Sequence, residues 1–162
     1  PQDVLPAITF WLMGSMTGAT MKALTIGLPF IVIGCLVIHL LRWKLNALSL
    51  SPAEARALGL RLAQLRAVVI VACTMVSASV VSMCGLIGWV GLLIPHFVRL
   101  VVGSNNVYVV PASALWGAIF VLLCDTAART ATQMEIPVCI LTAVLGAPVF
   151  LLLLRRGSSA RL

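Results

Sequence analysis

Carboxylates are scarce in this chain: among 162 residues only Asp3, Glu54, Asp125 and Glu135 carry one. Charged residues of either sign make up 9% and aromatic residues 6%. So few acids assemble no catalytic constellation, and no serine–histidine–acid set or metal-ligand cluster is present. No glycine loop stands before a lysine in the manner that cradles phosphate. Nucleic acid is excluded as a partner, because no basic run alternates with the sparse aromatics. Five cysteines, at 35, 73, 84, 124 and 139, form no C-x-x-C pair. They read as small buried hydrophobes rather than metal or redox ligands. No basic stretch leads an apolar one as in a signal peptide, and the start at Pro1 reads as a cut inside a longer protein.

What is abundant is hydrophobicity, at 62% of the chain. Typical soluble domains are about half apolar and about a quarter charged, and no soluble domain of this size could hide so much apolar surface. The chain reads as an all-α membrane protein with the lipid bilayer as its solvent. Uncharged runs mark about five spans, each needing about 20 residues: 23–41, 67–83, a short broken segment at 92–103, 111–128 and 136–154. Residues 1–20 read as an interfacial loop with a short helix, the alternative being a packing face on Gly14 and Gly18. Trp43 reads as an interface anchor.

Residues 42–66 are the polar exception. Ser51-Pro52-Ala-Glu54 is a capping box: serine at the N-cap, proline at the first helical position, glutamate at the third. Ala55, Arg56 and Ala57 continue a helix of about two turns, and Gly59 is a natural stop. A helix that short is marginal alone and needs a docking surface; a loop helix lying on its own protein is the alternative.

The chain is organised around Cys84 to Arg99. It belongs to an uncharged run from Ala67 to Val98, interrupted only by His96, which is too long for one span and too short for two. Gly85, Gly88 and Gly91 come every third residue, then stop. Pro95 has no N–H and is tolerated in a first helical turn. The spacing predicts non-helical backbone over roughly 84–91, then a half-helix starting within two residues of Leu93 and ending at Gly103. Irregular backbone at membrane depth must be covered by other protein. His96 and Arg99 share a face of the half-helix. His96 reads as a hydrogen-bonded structural residue, with a pathway-facing role as the alternative, and Arg99 snorkels to the interface. Pro111 is placed to open the next helix, after the polar turn Ser104-Asn105-Asn106.

Alternating spans put Lys22 and Arg129 on one side and the other nine of the 11 basic residues opposite. The nine are expected in the cytoplasm. Asp125, a charge buried within a span, is a functional candidate by default. Arg129 lies four residues on and can pair with it, which leaves a structural pair and a substrate contact both open.

These residues also carry a resemblance. Gly85-Leu-Ile-Gly-Trp-Val-Gly-Leu followed by Pro95-His-Phe-Val-Arg99 resembles the signature of the FecCD family. Those are permease subunits of ABC importers for ferric siderophores, haem, cobalamin and similar chelates. Trp11-Leu-Met-Gly-Ser15, Leu45-Asn-Ala-Leu48, Asp125-Thr-Ala-Ala-Arg129, Glu135-Ile-Pro137 and Leu145-Gly-Ala-Pro-Val-Phe150 continue the match in order. Family members are roughly twice this length, so the chain resembles the C-terminal half of one.

The resemblance implies an importer permease in the bacterial inner membrane, moving a ferric siderophore or related metal chelate. It would not be an enzyme and would bind no cofactor; ATP and Mg²⁺ belong to a partner ATPase. The implied partners are a second permease copy, a cytoplasmic ATP-binding subunit and a periplasmic or surface-anchored solute-binding protein. Ser51, Pro52, Glu54, Ala55, Arg56 and Gly59 would couple to the ATPase, and Arg129 would dock the binding protein. The family usually has Gly-Asp where Ser51-Pro52 stands, and an acidic–basic turn where Ser104-Asn105-Asn106 stands. A fragment of a secondary transporter or channel, which also uses broken helices, is the alternative, although the broken segment offers no buried carboxylate for an ion or proton.

Overall fold

A computed structural model describes residues 8–9, 11–16, 19–131, 139–144 and 146–148. Its elements in order are α1 (Met21–Leu45), a 3-10 turn (Asn46–Ser49), α2 (Pro52–Ala57), α3 (Leu62–Cys84), α4 (Val90–Val102) and α5 (Asn106–Ala131). Residues 139–144 and 146–148 are also helical, and no strand occurs among the described residues. Three helical stretches are long and apolar enough to cross a membrane: Met21–Ser49, Leu62–Cys84 and Asn106–Thr130. With 13 residues, α4 rises only about 20 Å, short of the roughly 30 Å hydrocarbon core. Much of the span expected at 136–154 lies outside the described residues.

The helices run further than the uncharged segments that announced them. Thr20 caps α1, its hydroxyl oxygen accepting from the Ala23 N–H at 3.3 Å, and Arg42 and Lys44 occupy its last turn. Basic side chains suit the carbonyl end of a helix and reach outward while the backbone stays helical. The helix therefore continues through Leu45 instead of stopping at Leu41. At its other border the polar segment is shorter too, because α3 begins at Leu62 rather than 67.

Two glycines seven residues apart bring α1 against α3. A Cβ on Gly34 would stand 2.5 Å from Val76 Cγ2 and 2.9 Å from the Ala72 carbonyl oxygen; one on Gly27 would stand 2.8 Å from Met83 Cε. Close backbone approach of this kind matters in lipid, where apolar burial alone drives little association.

Packing of α4 on α5 corrects the expected helix starts. Ile94, Val98 and Val109 form a buried cluster, with Val90, Ala112 and Phe120 against it. Phe97 and Trp116 add an edge-to-face pair with centroids 5.7 Å apart. Val90, Ile94 and Val98 are four apart and share one face, so α4 starts at Val90 instead of within two residues of Leu93. The non-helical piece is 85–89 instead of 84–91, and Pro95 falls in the second turn. Likewise α5 starts at Asn106, with Pro111 inside it. Each start upstream of a proline closes additional turn bonds, such as Leu93 N–H to the Trp89 carbonyl at 2.8 Å and Val109 N–H to the Asn105 carbonyl at 3.0 Å. Backbone groups at membrane depth must find such partners.

Candidate functional site

The break between α3 and α4 is built backbone against backbone. Gly85 ends α3 at φ +70° and ψ −160°, its N–H bonded to the Val81 carbonyl at 2.9 Å. A Cβ there would run into the Trp11 carbonyl oxygen and sit 3.1 Å from Gly14 Cα. Gly14, at φ +71°, meets the Leu86 carbonyl oxygen in the same way. Between them, the Ser15 N–H donates to the Cys84 carbonyl at 2.9 Å. The Trp11–Ser15 turn is thus the lid over the first half of the break. Helical residues 139–144 and 146–148 cover the second half: a Cβ on Gly88 would lie 3.5 Å from Cys139 Sγ, and one on Gly146 would lie 3.2 Å from Trp89 Cβ. Trp89 enters α4 at φ +56°, a left-handed conformation rare for a bulky side chain.

The three evenly spaced glycines do three different things. Gly85 is required by both its φ and its contacts. Gly88 lines an ordinary van der Waals contact. Gly91 lies inside α4, outside the break it was assigned to, and a Cβ there would meet no described atom within 4 Å. His96 is half-buried and Arg99 exposed on α4.

At the Lys44 end stands the capped helix α2. The Glu54 carboxylate accepts from both the N–H and the hydroxyl of Ser51 at 2.8 Å, and the Ser51 hydroxyl oxygen accepts from the Glu54 N–H at 3.3 Å. The Ser51 N–H, followed by its hydroxyl, holds the Glu54 carboxyl below the usual range. Gly59 turns the chain out at φ +69°, and the Leu60 N–H returns to the Ala55 carbonyl at 2.9 Å. This 6→1 bond marks a Schellman stop. Ala55 is buried although it lies on a helix of only six residues.

Beside α2, the Asn46 side chain reaches the turn between α4 and α5. Its Nδ2 donates to Asn105 Oδ1 at 2.9 Å, and its Oδ1 accepts from the Asn106 N–H at 2.9 Å. Asn105 Oδ1 also accepts from the Val107 N–H at 3.0 Å, and Arg99 Nη2 donates to Asn106 Oδ1 at 3.2 Å. Near the opposite end of α5, Arg129 Nε lies 2.8 Å from Asp125 Oδ2. The Asp125 side chain keeps 19% of its surface and the Arg129 side chain 52%, so the charge expected to be buried is only partly so, and it is paired. Among the described residues no three His, Cys, Asp or Glu side chains gather closely enough to hold a metal ion.

Sequence reasoning passed over the lid contact and the asparagine cluster. Gly14 stood in a recognised motif, but its partner is about 70 residues away. Asn46 and Asn105 are 59 apart, and no local spacing links them.

Among the described residues the chain is an apolar helical bundle with a non-helical break before a short helix and a capped connecting helix. The model of the FecCD transport family matches residues 1–156; the chain belongs to that family. It is 44% identical over 160 residues to the molybdate import system permease protein MolB of Haemophilus influenzae, covering 96% of this chain and 47% of the relative. Identity is 40% over 154 residues to the cobalamin import system permease protein BtuC of Halobacterium salinarum, covering 95% and 41%. It is 40% over 156 residues to the Fe(3+)-citrate import system permease protein YfmE of Bacillus subtilis, covering 96% and 46%. A solved inward-facing conformation of a metal-chelate type ABC transporter superposes with a TM-score of 0.90 at 42% identity, covering 94% of this chain and 49% of that one. The chain spans about half the length of the relatives it matches.

Proposed function

We propose that this chain is the second half of the permease subunit of an ABC importer in the bacterial inner membrane. Two permease copies, two cytoplasmic ATPases and a periplasmic or surface-anchored binding protein would form the working unit. ATP-driven closure of the ATPases pushes α2, and the packed spans rock to alternate access. The cargo is a ferric siderophore or related metal chelate. Relatives named for molybdate, cobalamin and ferric citrate import match at 40–44% identity, so this half reads as the shared mechanical part and not the selector of cargo.

The observation that carries the reading is α2 itself. Six residues do not hold a helix in water unaided, yet this one is closed at both ends by its own side chain and backbone bonds. It stands between two span-length helices at the basic end of the bundle. A pre-ordered knob of that kind suits contact with a moving partner. Arg129, half exposed at the far end, suits the binding protein.

The test uses the full-length permease reconstituted with its ATPase and binding protein. Gly59→Pro and Glu54→Arg are expected to leave membrane insertion intact and to abolish cargo uptake and stimulated ATP turnover. Wild-type uptake and turnover in both variants would reduce α2 to a loop.

A further inference from the structure

We propose that Asn46 is a positioning residue of the transport cycle, tying the segment that leads into α2 to the bases of α4 and α5. This rests on the reading of α2 as the ATPase contact. The first N–H groups of any helix have no partner within it. In α5 the second of these, from Val107, is taken by the neighbouring Asn105 side chain, as an ordinary N-cap. The first, from Asn106, is taken by Asn46, 60 residues away on another element. The same Asn46 amide donates to Asn105 Oδ1, so one side chain holds both the donor and the acceptor side of the α5 cap.

Position gives this cap its consequence. Asn46 opens the 3-10 turn that follows α1 directly, and only Leu50 and Ser51 separate that turn from α2. Arg99, in the last turn of α4, reaches Asn106 from the other side. Displacement of α2 is therefore delivered to α5 through two hydrogen bonds, instead of being absorbed in the linker. With 26 residues, α5 spans about 39 Å and carries the Asp125–Arg129 pair near its far end. It is a rigid element with one end held at α2 and the other at the opposite face. The cap is made of neutral amides, and their polarity is set: Asn105 Oδ1 must point at both the Asn46 amide and the Val107 N–H. Turning the Asn105 amide over would set its NH2 against both donors and lose both bonds.

The experiment measures cargo imported per ATP hydrolysed in proteoliposomes holding the full-length permease, its ATPase and its binding protein. The thermal midpoint and ATPase co-purification are read on the same preparations. Asn46→Ala is expected to lower the ratio at least fivefold, the lower end of ordinary site–site coupling, with midpoint and co-purification unchanged. Asn46→Asp sets two acceptors face to face and is expected to lower it at least as much. Asn105→Asp keeps the acceptor for both donors and is expected to hold the wild-type ratio. The proposal is overturned if the ratio stays at the wild-type value in Asn46→Ala. It is also overturned if the midpoint falls while the surviving complex imports normally, or if Asn105→Asp fails as badly as Asn46→Asp. Gly59→Pro in the same assay separates the levels. Normal coupling there removes the reading of α2, whereas a defect there with a silent Asn46→Ala removes the clasp alone.

Discussion

Substituting the three evenly spaced glycines by alanine, one at a time, tests the account of the break most directly. Gly85→Ala places a methyl at φ +70° against the Trp11 carbonyl and 3.1 Å from Gly14 Cα. Holding an L-residue at φ +70° and ψ −160°, a region essentially confined to glycine, costs about 1–3 kcal/mol. Moving the Trp11–Ser15 turn to admit the methyl also breaks the bond from Ser15 N–H to the Cys84 carbonyl, worth about 0.5–1.5 kcal/mol net. The sum is about 1.5–4.5 kcal/mol, and neither obstructing atom is the movable end of a side chain. Gly91→Ala falls at the second residue of α4, with no described atom near its Cβ. There alanine gains about 0.5–1 kcal/mol of helix preference over glycine. Gly88→Ala, with Cys139 Sγ at 3.5 Å, falls between. The assay is the thermal midpoint of the purified full-length permease, together with labelling of a single cysteine at Ser15 by a water-soluble maleimide. Gly85→Ala should lower the midpoint and expose position 15, and Gly91→Ala should do neither. Equal midpoints for the two variants, or a lower one for Gly91→Ala, would refute the contact geometry.

Three further outcomes follow from the same structure. Arg129→Glu exchanges an attraction of about 0.2–0.5 kcal/mol for a repulsion of similar size, so the midpoint should barely move. If Arg129 docks the binding protein, its association rate should fall steeply and lose salt sensitivity, with partial recovery when an acidic residue on the partner is made basic; a large fall in stability with no rescue would mean that the arginine serves only Asp125. Because Glu54 has a lowered pKa, its cap contribution is fully present above the ordinary carboxylate value of about 4.3. That contribution is lost as pH falls through the lower folded value, so a spin label at Leu58 should become mobile on acidification. Glu54→Gln, which keeps a capping-box side chain, should remove that pH dependence, and an identical transition in both proteins would disprove the assignment. Gly146→Val, whose Cβ would come within 3.2 Å of Trp89 Cβ, should disturb the entry to α4 and slow transport; normal uptake would show that Trp89 tolerates displacement.

What the sequence by itself determined is what depends on neighbours a few residues apart or on plain composition. Lipid as solvent followed from apolar runs, and α2 followed from Ser51, Glu54 and Gly59, because a capping box is an i to i+3 interaction that needs no tertiary help. A break near Gly85 was legible, since evenly spaced glycines ahead of a proline weaken any continuous helix. The helix borders were not. Pro95 and Pro111 mark where a helix can begin at no cost, but Val90, Val107 and Val109 find packing upstream and the bilayer penalises unpaired backbone, so both helices start earlier. Nor could the sequence tell that a Cβ is obstructed at Gly85 and unobstructed at Gly91, because that difference lies in the Trp11 carbonyl, a group about 70 residues away. The Asn46 cap of α5 is of the same kind. Hydrogen bonds between distant segments leave no periodicity, and only the packing of α1 beside α5 brings those amides within 2.9 Å.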